Sequence, residues 1–353
     1  MEQLFAYMQQ EKLDGMFISR PVNVRYVSHY TGEDSWLFIT EKEKFFITDP
    51  RYTEQVSYEC PDYTIINWRD KYGSVAKALA ALADEHGIRT IGFEDTHLTV
   101  RQYQEFQGAS KAELVPADGV IEKFRSIKRP EEIACSRISC DIASRAFERI
   151  LKDIRVGITE KELAAQLSRY MVLEGADTQP YGNILISGAR TSLLHGIPSA
   201  KSIEYGDLVL MDYGCQYHGY MSDMTRTVVV GRATEKQREI YRLEQQMVAD
   251  VENYLRDGAS ASEAYARSTK AIEGTEYFPY HYTGIGHGVG LFVHEMPFMS
   301  PVSKDIIHAG NVMTVEPGIY IPGWGGIRIE DQLLITETGN ENLISATKEL
   351  VEL

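Results

Sequence analysis

Apolar residues along the first third of the chain fall into short runs that alternate between two periods. Gln3 to Lys12 is amphipathic and predicts a helix, and Gly15 to Ser19 is a short apolar run of the kind a buried strand shows. Trp36 to Thr40 and Lys44 to Thr48 flank Glu41-Lys42-Glu43 and predict a hairpin. A helix over Arg51 to Cys60, a strand over Tyr63 to Trp68 and an alanine-rich helix over Ser74 to His86 follow. Thr90 to Phe93 and Glu113 to Pro116 predict strands on either side of a helix at Arg101 to Gly108. This alternation predicts a layered α/β domain whose sheet is covered by helices.

The rhythm changes at Glu122 to Ile133, which reads as a connection between two domains, 1–121 and 122–353. Pro130, followed by Glu131 and Glu132, fits the first turn of a helix running to about Lys152. Thr159-x-x-Glu162, Thr234-x-x-Gln237 and Ser260-x-x-Glu263 are capping-box patterns. They open helices to about Leu173, Leu255 and Gly274, and Ile184 to Ser187 predicts a strand. No clear internal repeat is visible.

Acids interrupt two otherwise apolar hairpins between Leu208 and Glu330. In the first, strand-like residues lead into Asp212 and out of Asp223. A hairpin pairing these two turns between Tyr217 and His218, and directly paired residues share a face. In the second, Glu316 and Glu330 pair across a turn centred on Gly323. His287 lies between the hairpins, in Gly286-His287-Gly288, and His294 follows on an apolar run. Carboxylates placed side by side on a buried face are costly unless a cation lies between them. Four carboxylates balance two divalent ions, and oxygen donors with one imidazole suit Mn(II) or Co(II), with Zn(II) as the alternative. Taken singly, each acid is equally an exposed residue at a strand end. The mirrored pairs and the glycine-flanked histidine are what favour a metal centre.

These residues resemble a known family. Asp212, Asp223, His287, Glu316 and Glu330, in the settings GHGVG, VHE, VEPG and RIED, are similar to those of the dinuclear metallopeptidases that include prolidase, aminopeptidase P and methionine aminopeptidase. NVRYVSHYTG and DPRY resemble the N-terminal domain of the prolidase and aminopeptidase P branch, a domain methionine aminopeptidases commonly lack. The resemblance implies an α/β (α+β) fold: a creatinase-like N-terminal domain, then a pita-bread catalytic domain closing around two metals. It implies that Asp212 ligates one metal, that His287 and Glu316 ligate the other, and that Asp223 and Glu330 bridge. Glu316 is then also the candidate proton shuttle.

His294 matches the family histidine that steadies the reacting carbonyl, and His195 matches a substrate-binding histidine. Tyr181 falls where relatives place an aromatic lining the proline pocket. Each has a plainer reading: a satisfied core histidine, a loop histidine, a core tyrosine. Arg328, two residues before Glu330, shares its strand face and is placed to pair with the site's carboxylates. His281 is offset by two from the position where relatives carry a second histidine. The implied activity is removal of an N-terminal residue before proline from small peptides. Phe298 after Glu295-Met296-Pro297 leaves no cation there for a free C-terminal carboxylate. That favours aminopeptidase P-type cleavage, with Xaa-Pro dipeptidase as the alternative and a binding module on the same fold as the non-enzyme reading. A homodimer is expected from the resemblance.

Composition narrows the setting. Net charge is −15, which argues against nucleic acid as a partner. Apolar runs fall far short of a membrane span, and the N-terminus lacks the pattern of a signal peptide. Cys60, Cys135, Cys140 and Cys215 form no CxxC pair and fit a reducing cytoplasm. Cys215, near Asp212 but on the opposite strand face, reads as a packing residue.

Overall fold

The structure is a computed structural model and describes residues 1–179 and 181–353. The chain divides into two compact units, Met1–Arg125 and Ser126–Leu353.

The first unit is built on a six-stranded mixed sheet. Its strands are β1 (Gly15–Ile18), β2 (Ser35–Thr40), β3 (Lys44–Thr48), β4 (Thr64–Asn67), β5 (Thr90–Phe93) and β6 (Glu113–Pro116), in the order β4-β3-β2-β1-β5-β6. β1 runs parallel to β5 and antiparallel to β2, and it is buried throughout. Strand alternation sends Phe17 and Phe38 to one face, where they pack with Leu79 and Phe106. Met16, Ile18 and Leu37 go to the other face, with Leu4, Met8 and Ile121. Both faces are thus covered, as the alternating sequence predicts. Besides the short helices Trp68–Lys71 and Val120–Ser126, the helix Pro21–Ser28 was not predicted from the sequence. Its buried face carries Asn23 and Ser28 as well as Val24, so its apolar period is broken.

The second unit holds two larger sheets and three two-stranded pairs. β7 (Ile184–Ser187), β8 (Leu208–Tyr213) and β11 (Met224–Val229) make a three-stranded sheet, with the short pair β9 (Gln216–Tyr217) and β10 (Tyr220–Met221) at the hairpin tip. Helices α1 (Pro130–Ile150) and α2 (Glu160–Leu173) cover it through Ile142, Phe147, Leu163 and Leu167. A small pair, β12 (Ala259–Ser260) with β15 (Ile306–Ile307), precedes the larger sheet in the chain. That sheet has the order β14-β13-β16-β19-β20, from β13 (Gly286–Gly288), β14 (Glu295–Met299), β16 (Val312–Val315), β19 (Asp331–Ile335) and β20 (Asn340–Asn342). β17 (Gly318–Ile321) and β18 (Gly325–Arg328) form a hairpin between β16 and β19. Helices α3 (Glu235–Glu252) and α4 (Ala261–Ser268) pack on this side.

The helix after Ser260 is shorter than its capping pattern predicts. It ends at Ser268, and the next turn, Lys270–Ile272, is 3₁₀. The Ser268 and Thr269 hydroxyls donate to the carbonyls of Tyr265 and Ala266, at 2.8 and 3.2 Å, which competes with continued α-helix. Among the described residues no helix is long and apolar enough to cross a membrane.

Candidate metal centre

The first acidic hairpin does not pair its two aspartates. Asp212 stands opposite Thr225, a register two residues away from the one expected. The turn explains the shift. His218 and Gly219 both have positive φ, 49° and 92°, and form a two-residue tip between the paired Tyr217 and Tyr220. A shift of two preserves the side-chain alternation, so Asp223 still faces the same way as Asp212. The chain is pinched just before Asp223. A Cβ on Gly214 would lie 1.7 Å from the Ser222 carbonyl oxygen, so only glycine fits there.

The second hairpin has the predicted register. Gly318 pairs with Arg328 around a tip at Gly323, and Val315 pairs with Asp331 in the same frame. Glu316 and Glu330 fall in the gap between these two ladders. The Glu330 N–H donates to the Thr225 carbonyl at 3.0 Å, which joins this segment to β11. The Thr225 hydroxyl donates to Glu330 Oε2 at 2.7 Å.

Three residues form a pocket of ligand atoms. One atom each from Asp223, His287 and Glu330 lies within 4.8 Å of the others, and all three side chains are buried. Glu316 Oε1 is 3.2 Å from His287 Nε2. His287 Nδ1 is 3.0 Å from the Gly288 carbonyl, so Nδ1 carries a proton and Nε2 faces the acids. Glu330 Oε1 is buried and has no hydrogen-bond partner among the described residues. Such an orphaned acceptor among acids is a donor set suited to a cation.

The electrostatics agree. Burial and the nearby Asp212 push Asp223 up to about 8. Burial and Asp223 likewise lift Glu330 well above the carboxylate range. Burial works to lower His287, but the hydrogen bond and charge of Glu316 raise it to about 9. Burial works to raise Glu316, and the same His287 contact brings it below its ordinary value. Protons thus offset negative charge where a cation would otherwise do so.

Asp212 is held differently. Arg328 Nη2 donates to Asp212 Oδ2, while its Nε donates to Thr225 Oγ1 at 3.0 Å and its Nη1 to the Tyr320 hydroxyl at 2.7 Å. Burial raises Asp212 and Arg328 opposes the rise. Tyr181, expected against a substrate ring, turns its hydroxyl onto Asp223 Oδ1 at 2.7 Å. The His294 ring stands edge-on to His287, with centroids 4.5 Å apart. Burial, then the charge of His287, lowers its pKa. His195 is exposed on the loop after the 3₁₀ turn Gly188–Ser192. It lines a cavity of about 630 Å³ with Ile184, Ile197 and Pro198. Phe298 pairs with His287 across β13 and β14 and is 42% exposed. His281 hydrogen-bonds the Tyr265 hydroxyl at 2.8 Å. Cys215 is buried with its Sγ 3.3 Å from the Ser139 carbonyl, as a packing residue.

Supporting groups were missed in the sequence. Thr314 Oγ1 accepts the His287 N–H at 3.1 Å and lies 3.3 Å from Glu316 Oε1. Arg226, buried, donates to the Glu330 carbonyl and to Asp331 Oδ1, both at 2.6 Å. Thr225 and Thr314 each lie two residues from an acid, so strand alternation was a usable signal for both. Tyr320 and Arg226 carried no such local mark.

The chain matches the description "Metallopeptidase family M24" over residues 134–337 and "Creatinase/Prolidase N-terminal domain" over residues 1–127. It belongs to the M24 metallopeptidases. It is 34% identical to the Xaa-Pro dipeptidase of Pyrococcus furiosus, over 99% of each chain. The structure of a Xaa-Pro dipeptidase from Bacillus anthracis matches with a TM-score of 0.95 at 38% identity, covering 100% of this chain and 98% of that one. That of an X-Pro aminopeptidase from Thermotoga maritima matches with a TM-score of 0.90 at 30% identity, covering 97% and 98%.

Proposed function

We propose that this metallopeptidase is an Xaa-Pro exopeptidase of the aminopeptidase type, cleaving the bond before proline at the N-terminus of small peptides. The observation that carries the reading is the buried group Asp223, His287 and Glu330, in which one Glu330 carboxylate oxygen has no hydrogen-bond partner among the described residues. With Asp212 and Glu316 beside them, these residues supply four carboxylates and one imidazole for two divalent ions, Mn(II) or Co(II). Bound ions supply a Lewis acid for the scissile carbonyl and make water nucleophilic near neutral pH.

The protein's own groups do the rest. Arg328 and Tyr181 hold Asp212 and Asp223 in place. Glu316, exposed enough to meet substrate, is the base that becomes the acid for the leaving nitrogen. His294, kept neutral by burial and by His287, offers a hydrogen bond to the reacting carbonyl. His195, which lines a cavity with Ile184, Ile197 and Pro198, is the residue we assign to binding the peptide. The relatives' names support proline in the second position.

Arg328 is 3% exposed and committed to Asp212, Thr225 and Tyr320, so it is not available for a C-terminal carboxylate. With Phe298 across from His287, this favours peptides that continue past proline. Xaa-Pro dipeptidase is the second reading, favoured by the names of the Pyrococcus furiosus and Bacillus anthracis relatives. Four free thiols fit a cytoplasmic setting. Hydrolysis of Ala-Pro and Ala-Pro-Ala by metal-reconstituted protein separates the two readings. A kcat/KM for the tripeptide at least equal to that for the dipeptide is expected. Strong cleavage of Ala-Pro with none of Ala-Pro-Ala would make it a dipeptidase.

A further inference from the structure

The loop that carries His195 has little apolar burial to hold it. After the 3₁₀ turn Gly188–Ser192 the chain runs to Ser199 outside the helices and strands, and Leu193, His195 and Ile197 are all exposed. A segment of this kind moves freely unless its backbone is tied down.

A single carboxylate ties it at both ends. Glu160 opens α2 and is 0% exposed. Its Oε1 accepts the Ser187 N–H at 2.8 Å and the Ser187 hydroxyl at 3.1 Å. Its Oε2 accepts the Ser199 N–H at 2.8 Å and the Ser199 hydroxyl at 2.7 Å. Arg190 Nε lies 3.2 Å from each oxygen, and Arg190 Nη2 donates to the Ile197 carbonyl at 2.7 Å. The first N–H groups of a helix have no acceptor inside it. Here those of Glu160 and Lys161 donate to the Lys201 and Ser199 carbonyls, both at 3.1 Å. Burial works to raise Glu160, and the Ser199 and Ser187 donors bring it below its ordinary value, so it is charged at neutral pH.

The anchor of this clamp is the sheet that carries Asp212. Ser187 ends β7 and pairs with Val209 of β8, and in the same register Ile184 pairs with Asp212. An acid in the first turn of a helix is explained by the dipole alone. A fully buried one that accepts from Ser187, Arg190 and Ser199, on both sides of an exposed loop, does more than the helix requires. We propose that Glu160 is a positioning residue that clamps the 187–199 segment to the metal-bearing sheet and so sets where His195 meets the peptide. The inference rests on His195 being a peptide-binding residue.

The test measures kcat and KM for Ala-Pro-Ala, with Mn(II) content, in Glu160→Gln and Arg190→Met, each alone and combined with His195→Ala. Glutamine keeps the shape of Glu160 but puts a donor where one oxygen now accepts. Arg190→Met removes two contacts of the same clamp from a partly exposed side chain, and it decides alone if Glu160→Gln does not fold. Each single variant should raise KM about 10-fold, the scale of one lost substrate hydrogen bond. Mn(II) content should be unchanged and kcat should stay within about 2-fold of wild type. With His195 already alanine, the same changes should move KM by less than about 2-fold, because groups that act through one another are not additive. A merely structural role would lower kcat or metal content and would add to the effect of His195→Ala. Wild-type KM in the deciding variant overturns the proposal, as does an equal rise in KM with and without His195. Wild-type KM in His195→Ala alone would instead refute the reading of His195.

Discussion

His287 Nε2 lies 3.2 Å from Glu316 Oε1 and 3.7 Å from Asp223 Oδ2, so the imidazole occupies the place between two acids. With His287 raised to about 9 and Asp223 to about 8, both carry protons at pH 7 in the metal-free protein. A metal must displace them, because ligands bind it deprotonated. Metal binding at pH 7 should therefore release protons, and apparent affinity should rise with pH toward 9. Titration calorimetry in two buffers of different ionisation enthalpy measures the release. Binding without proton release would show that these groups are not ligands.

Asp223 and Glu330 crowd negative charge into a buried place, and that placement makes a distinct prediction. Asp223→Ala and Glu330→Ala should each lose at least one of two metal ions and nearly all activity. Their metal-free forms should be no less stable than wild type, because each change removes a poorly compensated buried acid. Metal content by elemental analysis, read beside thermal melting, checks both. Two tightly bound ions in either variant would mean the ligands are assigned wrongly.

The two hairpins show where the sequence was readable. Glu316 and Glu330 lie in the predicted frame because Gly323 sits symmetrically in a glycine-rich turn and the ladders on both sides share its register. The Asp212 hairpin is shifted because its tip uses His218 at positive φ, a conformation histidine seldom adopts and the local sequence does not announce. The core strands and the capping boxes at Thr159 and Thr234 were legible from local chemistry. The contacts of Arg328 with Tyr320 and of Arg226 with Asp331 join separate elements through buried polar groups, and no local period encodes them.

His294 and His195 are not members of the group Asp223, His287 and Glu330, although the His294 ring packs edge-on against His287. Replacing either with alanine should leave metal content intact. Loss of one positioned donor beside a developing oxyanion typically lowers kcat by about 10²-fold or more, the loss expected for His294→Ala. His195→Ala should act more on KM. Loss of both metals in either variant would contradict these roles.

Tyr181 offers a sharper distinction. Its hydroxyl holds Asp223, so Tyr181→Phe should weaken metal binding by about 10-fold while leaving the ring in place. Metal titrations and KM for Ala-Pro-Ala separate the two contributions. Unchanged metal affinity with a loss confined to KM would show that the tyrosine serves only the substrate.

The most direct measurement is alanine release from Ala-Pro-Ala and Ala-Ala-Ala by chelator-treated protein, before and after Mn(II) is restored. The metal-free protein should release alanine from neither. Restored protein should cut Ala-Pro-Ala to alanine and Pro-Ala. Ala-Ala-Ala should be poorer by about 10-fold or more in kcat/KM, since a pocket shaped to proline forfeits roughly 1–3 kcal/mol of apolar contact without the ring. Full activity without metal, or equal cleavage of the two tripeptides, would contradict the account.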